Sequence, residues 1–322
     1  MSIYVSGSVA YDRIMTFPGA FEEHLLPDRL HILNVCFLID RVVLKRGGTA
    51  GNIAYNLALL GEKPHILGAA GKDFALYETV LKKLKLPRGG IRIVKDDFTA
   101  AAFIITDQRN NQITAFSPSA MRFPCEYTFP ALDPTNDIAI IGPGNLEDMV
   151  RLPAFFRRHG IRYIFDPGQQ IPALSGGELT DALTGAFACI TNDYELELLL
   201  RRTGLTKKAL TGRAAWLITT LGDKGSRLYG ERQSDIGIAA PERMLDPTGA
   251  GDAYRAGLIK GIVTGLAMPE AAALGASCAS FCVEHSGTQE HVFTKRSFLS
   301  RHRKAFGRLS REIFQANAPR AA

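Results

Sequence analysis

From residue 138 onward the chain repeats one unit: a short apolar strand, a turn and a helix. Strands fall near 138–142, 161–165, 188–191 and 215–220, with helices between them. Parallel neighbours need long crossover connections, and helices in those crossovers cover both faces of the sheet. The alternation therefore predicts an α/β fold, a doubly wound and mostly parallel sheet between two helical layers. A chain of 322 residues can bury a full core of that kind. Its 31 glycines suit a fold in which strand–helix turns recur.

The first half is less regular. Ile3–Ser8 reads as a short apolar strand, and Asp12 follows after a turn. Residues 33–44 are rich in strand formers. A helix opens at the glycines that follow, with Ile53, Leu57 and Leu60 on one face, and Gly61 closes it. Residues 64–69 read as a strand and 75–84 as a helix with Leu76, Val80, Leu81 and Leu84 inward. Thr99–Thr106 and Gln112–Phe116 flank a polar turn cluster at Asp107–Asn111, the pattern of a β-hairpin. Two more strands are expected near 225–239, then helices at 250–265, 269–284 and 295–307. The patches 13–45 and 97–118 interrupt the α/β pattern and are expected to pair as a small sheet standing off the main body.

Hydrophobic residues make up 46% and charged residues 22%, an ordinary globular balance, and the formal charge of +6 is only a mild attraction for anions. The basic C-terminal cluster (Lys295, Arg296, Arg301, Arg303, Lys304, Arg308, Arg311) is expected to be the solvated face of a last helix, with no nucleic-acid partner. Five cysteines form no C-x-x-C pair and are expected as buried free thiols. The seven histidines suggest surface or helix-end positions. No apolar run approaches the ~20 residues of a membrane span, and the N-terminus reads straight into a strand. A cytoplasmic protein is expected, with no membrane partner.

Chemistry concentrates at Asp246-Pro247-Thr248-Gly249-Ala250-Gly251-Asp252-Ala253. Glycines open a helix there, so backbone N–H groups without intrahelical partners meet the positive end of the helix dipole, an anion site. A carboxylate at such a place is odd beside a static anion. It fits a transient one, where Asp252 takes a proton while a phosphoryl group passes to a hydroxyl. The same residues also read as a helix cap and its turn.

This segment resembles the second signature of the ribokinase (PfkB) family of carbohydrate and nucleoside kinases. Gly47-Gly48-Thr49-Ala50-Gly51-Asn52 resembles the first. Asn192-Asp193-Tyr194-Glu195 is similar to the family's N-x-x-E motif, and Thr220-Leu221-Gly222-Asp223-Lys224-Gly225 to its nucleotide loop. The four stand in family order over about Ser2 to Phe298. The resemblance implies a ribokinase-like three-layer αβα fold, with 1–12, 46–96 and 119–322 as the large domain and 13–45 with 97–118 as a β lid. It implies Asp252 as catalytic base, with Gly249, Ala250 and Gly251 as an anion hole. Asp12, Gly48 and Asn52 would hold a sugar diol, which a carboxylate and a carboxamide recognise by hydrogen bonds. Asn192 and Glu195, three apart and so on one helix face, would hold Mg2+ through water. Thr220, Gly222 and Gly225 would contact ATP, with adenine near the helix of Cys278 and Cys282. Asp246, Thr248 and the Gly287 region are the candidates for a monovalent cation, K+. A monomer and a homodimer both fit.

Residues 112–121 and 284–291 look like the bacterial and archaeal adenosine-kinase-like nucleoside kinases, although glycine is expected where Ser119 stands. A nucleobase needs apolar surface to stack on, and Phe17, Phe37, Phe103 and Phe116 lie in the expected lid, either for that purpose or as the lid's own core. Gln169 or Gln170 could reach the acceptor. The expected reaction is transfer of the γ-phosphoryl group of ATP to the 5′-hydroxyl of a ribonucleoside, adenosine first. A free-sugar kinase and a non-catalytic nucleotide-binding protein are the alternatives. No G-x-G-x-x-G follows the first strand and no G-x-x-x-x-G-K-[ST] occurs, which argues against Rossmann and P-loop sites.

Overall fold

The computed structural model describes residues 1–314 except Leu26 and Leu33. In chain order the N-terminal half runs β1 (Ile3–Ser6), β2 (Ala10–Thr16), β3 (Arg41–Gly47), α1 (Thr49–Leu59), β4 (His65–Gly71), α2 (Ala75–Lys83), β5 (Ile91–Val94), β6 (Ala100–Thr106) and β7 (Gln112–Ser117). The rest follows as β8 (Ile138–Ile141), α3 (Leu146–Arg158), β9 (Arg162–Phe165), α4 (Gly176–Leu183), β10 (Ala188–Asn192), α5 (Asp193–Thr203), α6 (Lys207–Thr211), β11 (Trp216–Thr220), β12 (Ser226–Tyr229), β13 (Ser234–Ile236), α7 (Ala250–Thr264), α8 (Met268–Cys282) and α9 (Lys295–Phe306).

Nine strands form one sheet in the order β13-β12-β11-β10-β9-β8-β1-β4-β5. All pairings from β5 to β11 are parallel, and β12 and β13 add antiparallel. Side chains alternate between two cores, as a doubly covered sheet requires. Ile3, Val5, Ile140, Ile164, Ile190 and Ile218 enter the core under α1, α7 and α8. Tyr4, Ile141, Phe165, Cys189 and Leu217 enter the other, with α3, α4 and α5. Among the described residues no helix is long and apolar enough to cross a membrane.

A second sheet of four strands has the order β3-β2-β6-β7, with β2 and β6 parallel and the outer pairs antiparallel. Its strands reach Ala10–Asp12 and Arg46–Gly47, beyond the expected 13–45. Directly paired residues share a face. Lys45, Asp12, Ala102 and Phe116 therefore form one row, and Leu44, Arg13, Phe103 and Ala115 form the next row on the opposite face.

Several sequence expectations need correction. Residues 33–44 are not one strand: Leu33 lies outside the described residues, 34–40 carry no strand, and β3 starts only at Arg41. Its partner β2 ends at Thr16, opposite Arg41, so strand-forming residues before Arg41 have no ladder to join. Leu76 is 66% exposed, because α2 instead turns Tyr77 inward against Phe74 and Tyr11. Cys36 is exposed, whereas the other four cysteines are buried. His291 and His302 are buried, not superficial: His291 Nε2 lies 2.8 Å from Asn56 Oδ1, and His302 Nδ1 lies 2.8 Å from Ser277 Oγ. In the basic C-terminal cluster, Arg301 stacks over Phe281 at 3.6 Å and pairs with Glu284 at 2.8 Å.

Candidate active site

The α7 N-terminus is built by Gly249, whose φ of 82° is left-handed and costs glycine nothing. The turn leaves the N–H groups of Gly249, Gly251 and Asp252 without acceptors among the described residues, while the Ala250 N–H closes onto Pro247 O at 3.2 Å. Asp252 sits in the first helical turn. Asp246, just before it, accepts from Thr248 N at 2.9 Å and Gly287 N at 3.0 Å. Burial raises the Asp246 pKa, but the Thr248 hydroxyl, those two N–H donors and the charge of Lys45 outweigh it and hold the carboxyl below its ordinary value.

A polar pocket of about 370 Å³ opens at the carboxyl ends of β8 to β11, where ligands of open α/β sheets bind. Asp166, Asn192, Glu195, Thr220, Asp252 and Arg255 line it, with Gly222, Gly249 and Gly251 at its turns. Through Thr220, Gly222 and Gly251 it joins a more apolar slot of about 440 Å³ that also reaches Gly225. Ala276, Ala279, Ser280 and Val283 form the α8 wall of that slot. Cys278 and Cys282 of α8 point elsewhere, towards Asn56 and the Thr248 carbonyl.

Asp252 is half-buried, and burial pushes its pKa up to about 6. Arg255 and the Asn52 hydrogen bond oppose that rise, whereas Asp166 and Glu195 add to it. Asn52, in α1, donates from Nδ2 to Asp252 Oδ2 at 2.8 Å. Its Oδ1 lies 2.8 Å from Thr288 Oγ1 and 2.9 Å from Gln289 Nε2. Gly48 is the N-cap residue of α1.

Asn192 is the last residue of β10 and not part of a helix. With Glu195 it makes the capping box of α5: Asn192 N donates to Glu195 Oε2 at 2.8 Å, and Glu195 N donates to Asn192 Oδ1 at 2.7 Å. Glu195 faces the pocket, and burial raises its pKa. Of the two glutamines, Gln169 lines the polar pocket and Gln170 bonds to Gly144 O at 3.0 Å.

Asp12 stands in β2, with its Oδ2 only 2.7 Å from where a Cβ on Gly47 would lie. It accepts no hydrogen bond among the described residues, and burial raises its pKa against the pull of Lys45. Lys45, in the same row, donates to Ser286 O at 2.6 Å, and Thr288 Oγ1 lies 3.0 Å from Arg46 O. The Asp12 row is thus tied to the 286–290 loop, whose Gly287 N–H holds Asp246 at the head of α7. Phe116, 52% exposed, shares that row, whereas Phe103 faces the opposite way under Arg13. Phe17 and Phe37 pack with Phe21 and His24 into a small core. Ser119 takes φ 39°, the left-handed backbone for which glycine was expected.

Sequence reasoning missed a buried pair. Arg255 Nε lies 2.5 Å from Asp166 Oδ2, and Nη2 lies 2.6 Å from Asp166 Oδ1. The signals were an aspartate directly after a parallel strand and an arginine inside an apolar helix.

Residues 8–295 match the family described as pfkB family carbohydrate kinase. The chain belongs to this family. A nucleoside kinase from Methanocaldococcus jannaschii is 31% identical over 265 residues, covering 80% of this chain and 85% of that protein. The structure of Burkholderia thailandensis nucleoside kinase in complex with inosine is 35% identical and superposes with a TM-score of 0.83, over 96% of this chain and 99% of the other. The same enzyme in complex with ADP-inosine gives 36% and 0.80, over 96% and 97%. This pfkB-family chain is an ATP-dependent kinase with a ribokinase-like fold.

Proposed function

We propose that the chain phosphorylates the 5′-hydroxyl of a purine ribonucleoside, with adenosine and inosine as the first candidates. The row across the small sheet carries this reading. Asp12 offers an unpaired carboxylate for a ribose diol, and Phe116, two strand spacings away, offers an exposed ring. Two spacings are about 10 Å, the scale of a nucleoside. The nucleoside kinases among its relatives point the same way.

ATP would place adenine in the apolar slot beside Thr220, Gly222 and Gly225, with its phosphates in the polar pocket. Asp252 accepts the proton of the 5′-hydroxyl as the new O–P bond forms and the bond from the γ-phosphorus to ADP breaks. The N–H groups at Gly249 and Gly251, at the head of α7 beside Ala250, stabilise charge on the transferring group. Arg255, held by Asp166, adds positive charge to the pocket. Glu195 suits Mg2+, which keeps several waters and needs only one or two carboxylates besides phosphates. Bound there, Mg2+ would neutralise phosphate charge. Asp246 and Thr248 supply the oxygen donors a potassium ion takes. The four-stranded sheet acts as the lid that keeps water from the phosphoryl group.

A coupled ADP-release assay with Mg-ATP and adenosine, inosine, guanosine, cytidine, ribose and fructose tests this. Turnover on nucleosides is expected, and turnover on free sugars alone would overturn the acceptor. Two variants sharpen the result. Asp12→Ala should raise the acceptor KM by roughly 10- to 100-fold, the worth of a hydrogen bond to a charged group, and leave the ATP KM unchanged. Phe116→Ala should raise the nucleoside KM about fivefold or more, since base stacking on an aromatic ring contributes about 1–3 kcal/mol. Equal KM values for Phe116→Ala and wild type would remove Phe116 from the site.

A further inference from the structure

Behind Asp252 runs a buried chain of hydrogen bonds whose direction is set at both ends. One end is the Asp252 carboxylate, which when ionised can only accept. The other is the carbonyl of Gly47, which also can only accept. Between them lie Asn52, Gln289 and Tyr77, all buried. Asn52 Nδ2 donates to Asp252 Oδ2 at 2.8 Å, so Asn52 Oδ1 must face Gln289. Gln289 Nε2 donates to that oxygen at 2.9 Å and, with its second hydrogen, to Tyr77 OH at 2.7 Å. Tyr77 OH in turn donates to Gly47 O at 2.9 Å. Burial pushes the Tyr77 pKa far up, so the hydroxyl keeps its proton and its donor role throughout the working pH range.

The first glycine-rich motif makes room for this chain. A Cβ on Gly51 would sit 1.8 Å from Tyr77 Oη and 3.3 Å from Gln289 Nε2, so no other residue permits the hydroxyl to reach Gly47. One turn of α1 thus supplies both Asn52 and the space for the tyrosine behind it.

We propose that Tyr77 and Gln289 are positioning residues for the catalytic base: they lock the Asn52 carboxamide so that it always donates to Asp252 Oδ2, which leaves Oδ1 as the oxygen that takes the substrate proton. This inference rests on Asp252 being the base. To protonate Oδ2 instead, two buried amides and one buried hydroxyl would have to reverse together. The locked donor also favours the ionised carboxylate against the burial that opposes it. Asn52 keeps its second Nδ2 hydrogen for the acceptor, so its place behind the base is compatible with contact to a sugar.

The test is the pH dependence of kcat in Tyr77→Phe. Thr288 Oγ1, which also meets Asn52 Oδ1, can give its proton to Arg46 O instead and so accept from a reversed Asn52, which leaves the orientation to Gln289 and Tyr77. Without the Tyr77 hydroxyl, Gln289 is free to turn, Asn52 can present Oδ1 to Asp252, and the base loses its fixed donor. A hydrogen bond to a charged group is worth about one pH unit or more, so the acidic limb of kcat should move up by about one unit. The ratio of variant to wild-type kcat should then be about tenfold lower at pH 5 than at pH 8, with the nucleoside KM little changed. Gln289→Leu should do the same and serves as the second variant if Tyr77→Phe folds poorly. A ratio that stays flat with pH, whatever its size, would reduce both residues to structural support and overturn the proposal. Asp252→Asn, run alongside, separates the two ideas: an active Asp252→Asn enzyme defeats the assignment of the base itself, whereas an inactive one with a flat Tyr77→Phe ratio defeats only the positioning role.

Discussion

Asp252→Asn should still bind ATP and nucleoside while losing on the order of 10³ in kcat. The substitution keeps the size of the side chain and an oxygen for Asn52 Nδ2. It removes the carboxylate proposed to take the hydroxyl proton. General-base catalysis is worth about 10² to 10⁴, and the free N–H groups at the head of α7 are untouched. Both KM values should therefore stay within a few-fold. The wild-type enzyme has a matching pH signature. Burial raises the Asp252 pKa to about 6, and the base works only when ionised. The Asp252 contribution to kcat should therefore hold above pH 6 and fall about tenfold for each unit below it. Steady-state kinetics of both proteins from pH 5 to 9 measure this. Near-normal kcat in Asp252→Asn, or a variant that keeps the wild-type acidic limb, would place the base elsewhere.

The parts of this fold that local pattern determines were legible in the sequence. Apolar runs of four or five residues separated by helical periods gave β8 to β11 and their crossovers. The Gly249-Ala250-Gly251-Asp252 run gave the start of α7, because a left-handed residue followed by a helix has few other readings. Legibility ended where tertiary partners decide. Nothing local ends β3 at Arg41; the end of β2 at Thr16 does so from across the ladder. Leu76 and Tyr77 are both apolar enough to face inward, and only the rings of Phe74 and Tyr11 choose Tyr77. The same limit applied to the site. Asp12, Asn52 and Asp252 could be named from motifs, but the partners of Asn52 lie some 200 residues away in chain separation, at Asp252, Thr288 and Gln289. Gly51 stands in the sequence only as a member of the first glycine-rich motif, and the structure shows it to be the space for the Tyr77 hydroxyl. Asn192 and Glu195 could be paired from spacing alone, yet that spacing is equally the signature of a helix cap, and the cap is what their hydrogen bonds make.

Arg255→Met is the other substitution with a large expected effect, and it separates stability from chemistry. Arg255 and Asp166 are 9% and 1% exposed at the side chain and are joined by two charge-assisted hydrogen bonds. Methionine fills much of the same volume but leaves the Asp166 carboxylate buried without its partner. Breaking a buried pair from one side costs about 3–5 kcal/mol, so the variant should show a clearly lowered Tm. Replacing both members, in Asp166→Leu/Arg255→Met, removes the orphaned charge and should recover most of that loss. Activity should not follow. The third guanidinium nitrogen, Nη1, lies against Gly251, where an added Cβ would be only 2.8 Å from it. A pinned cation beside the proposed anion hole would act on charge that develops during transfer, so the double variant should regain stability and remain down by roughly 10² in kcat, the scale of one lost donor in such a hole. Thermal unfolding and kinetics of the single and double variants decide the matter. A double variant with both Tm and kcat restored would show that Arg255 only neutralises Asp166. A single variant as stable as wild type would show that the pair is not needed to hold β9 and α7 together.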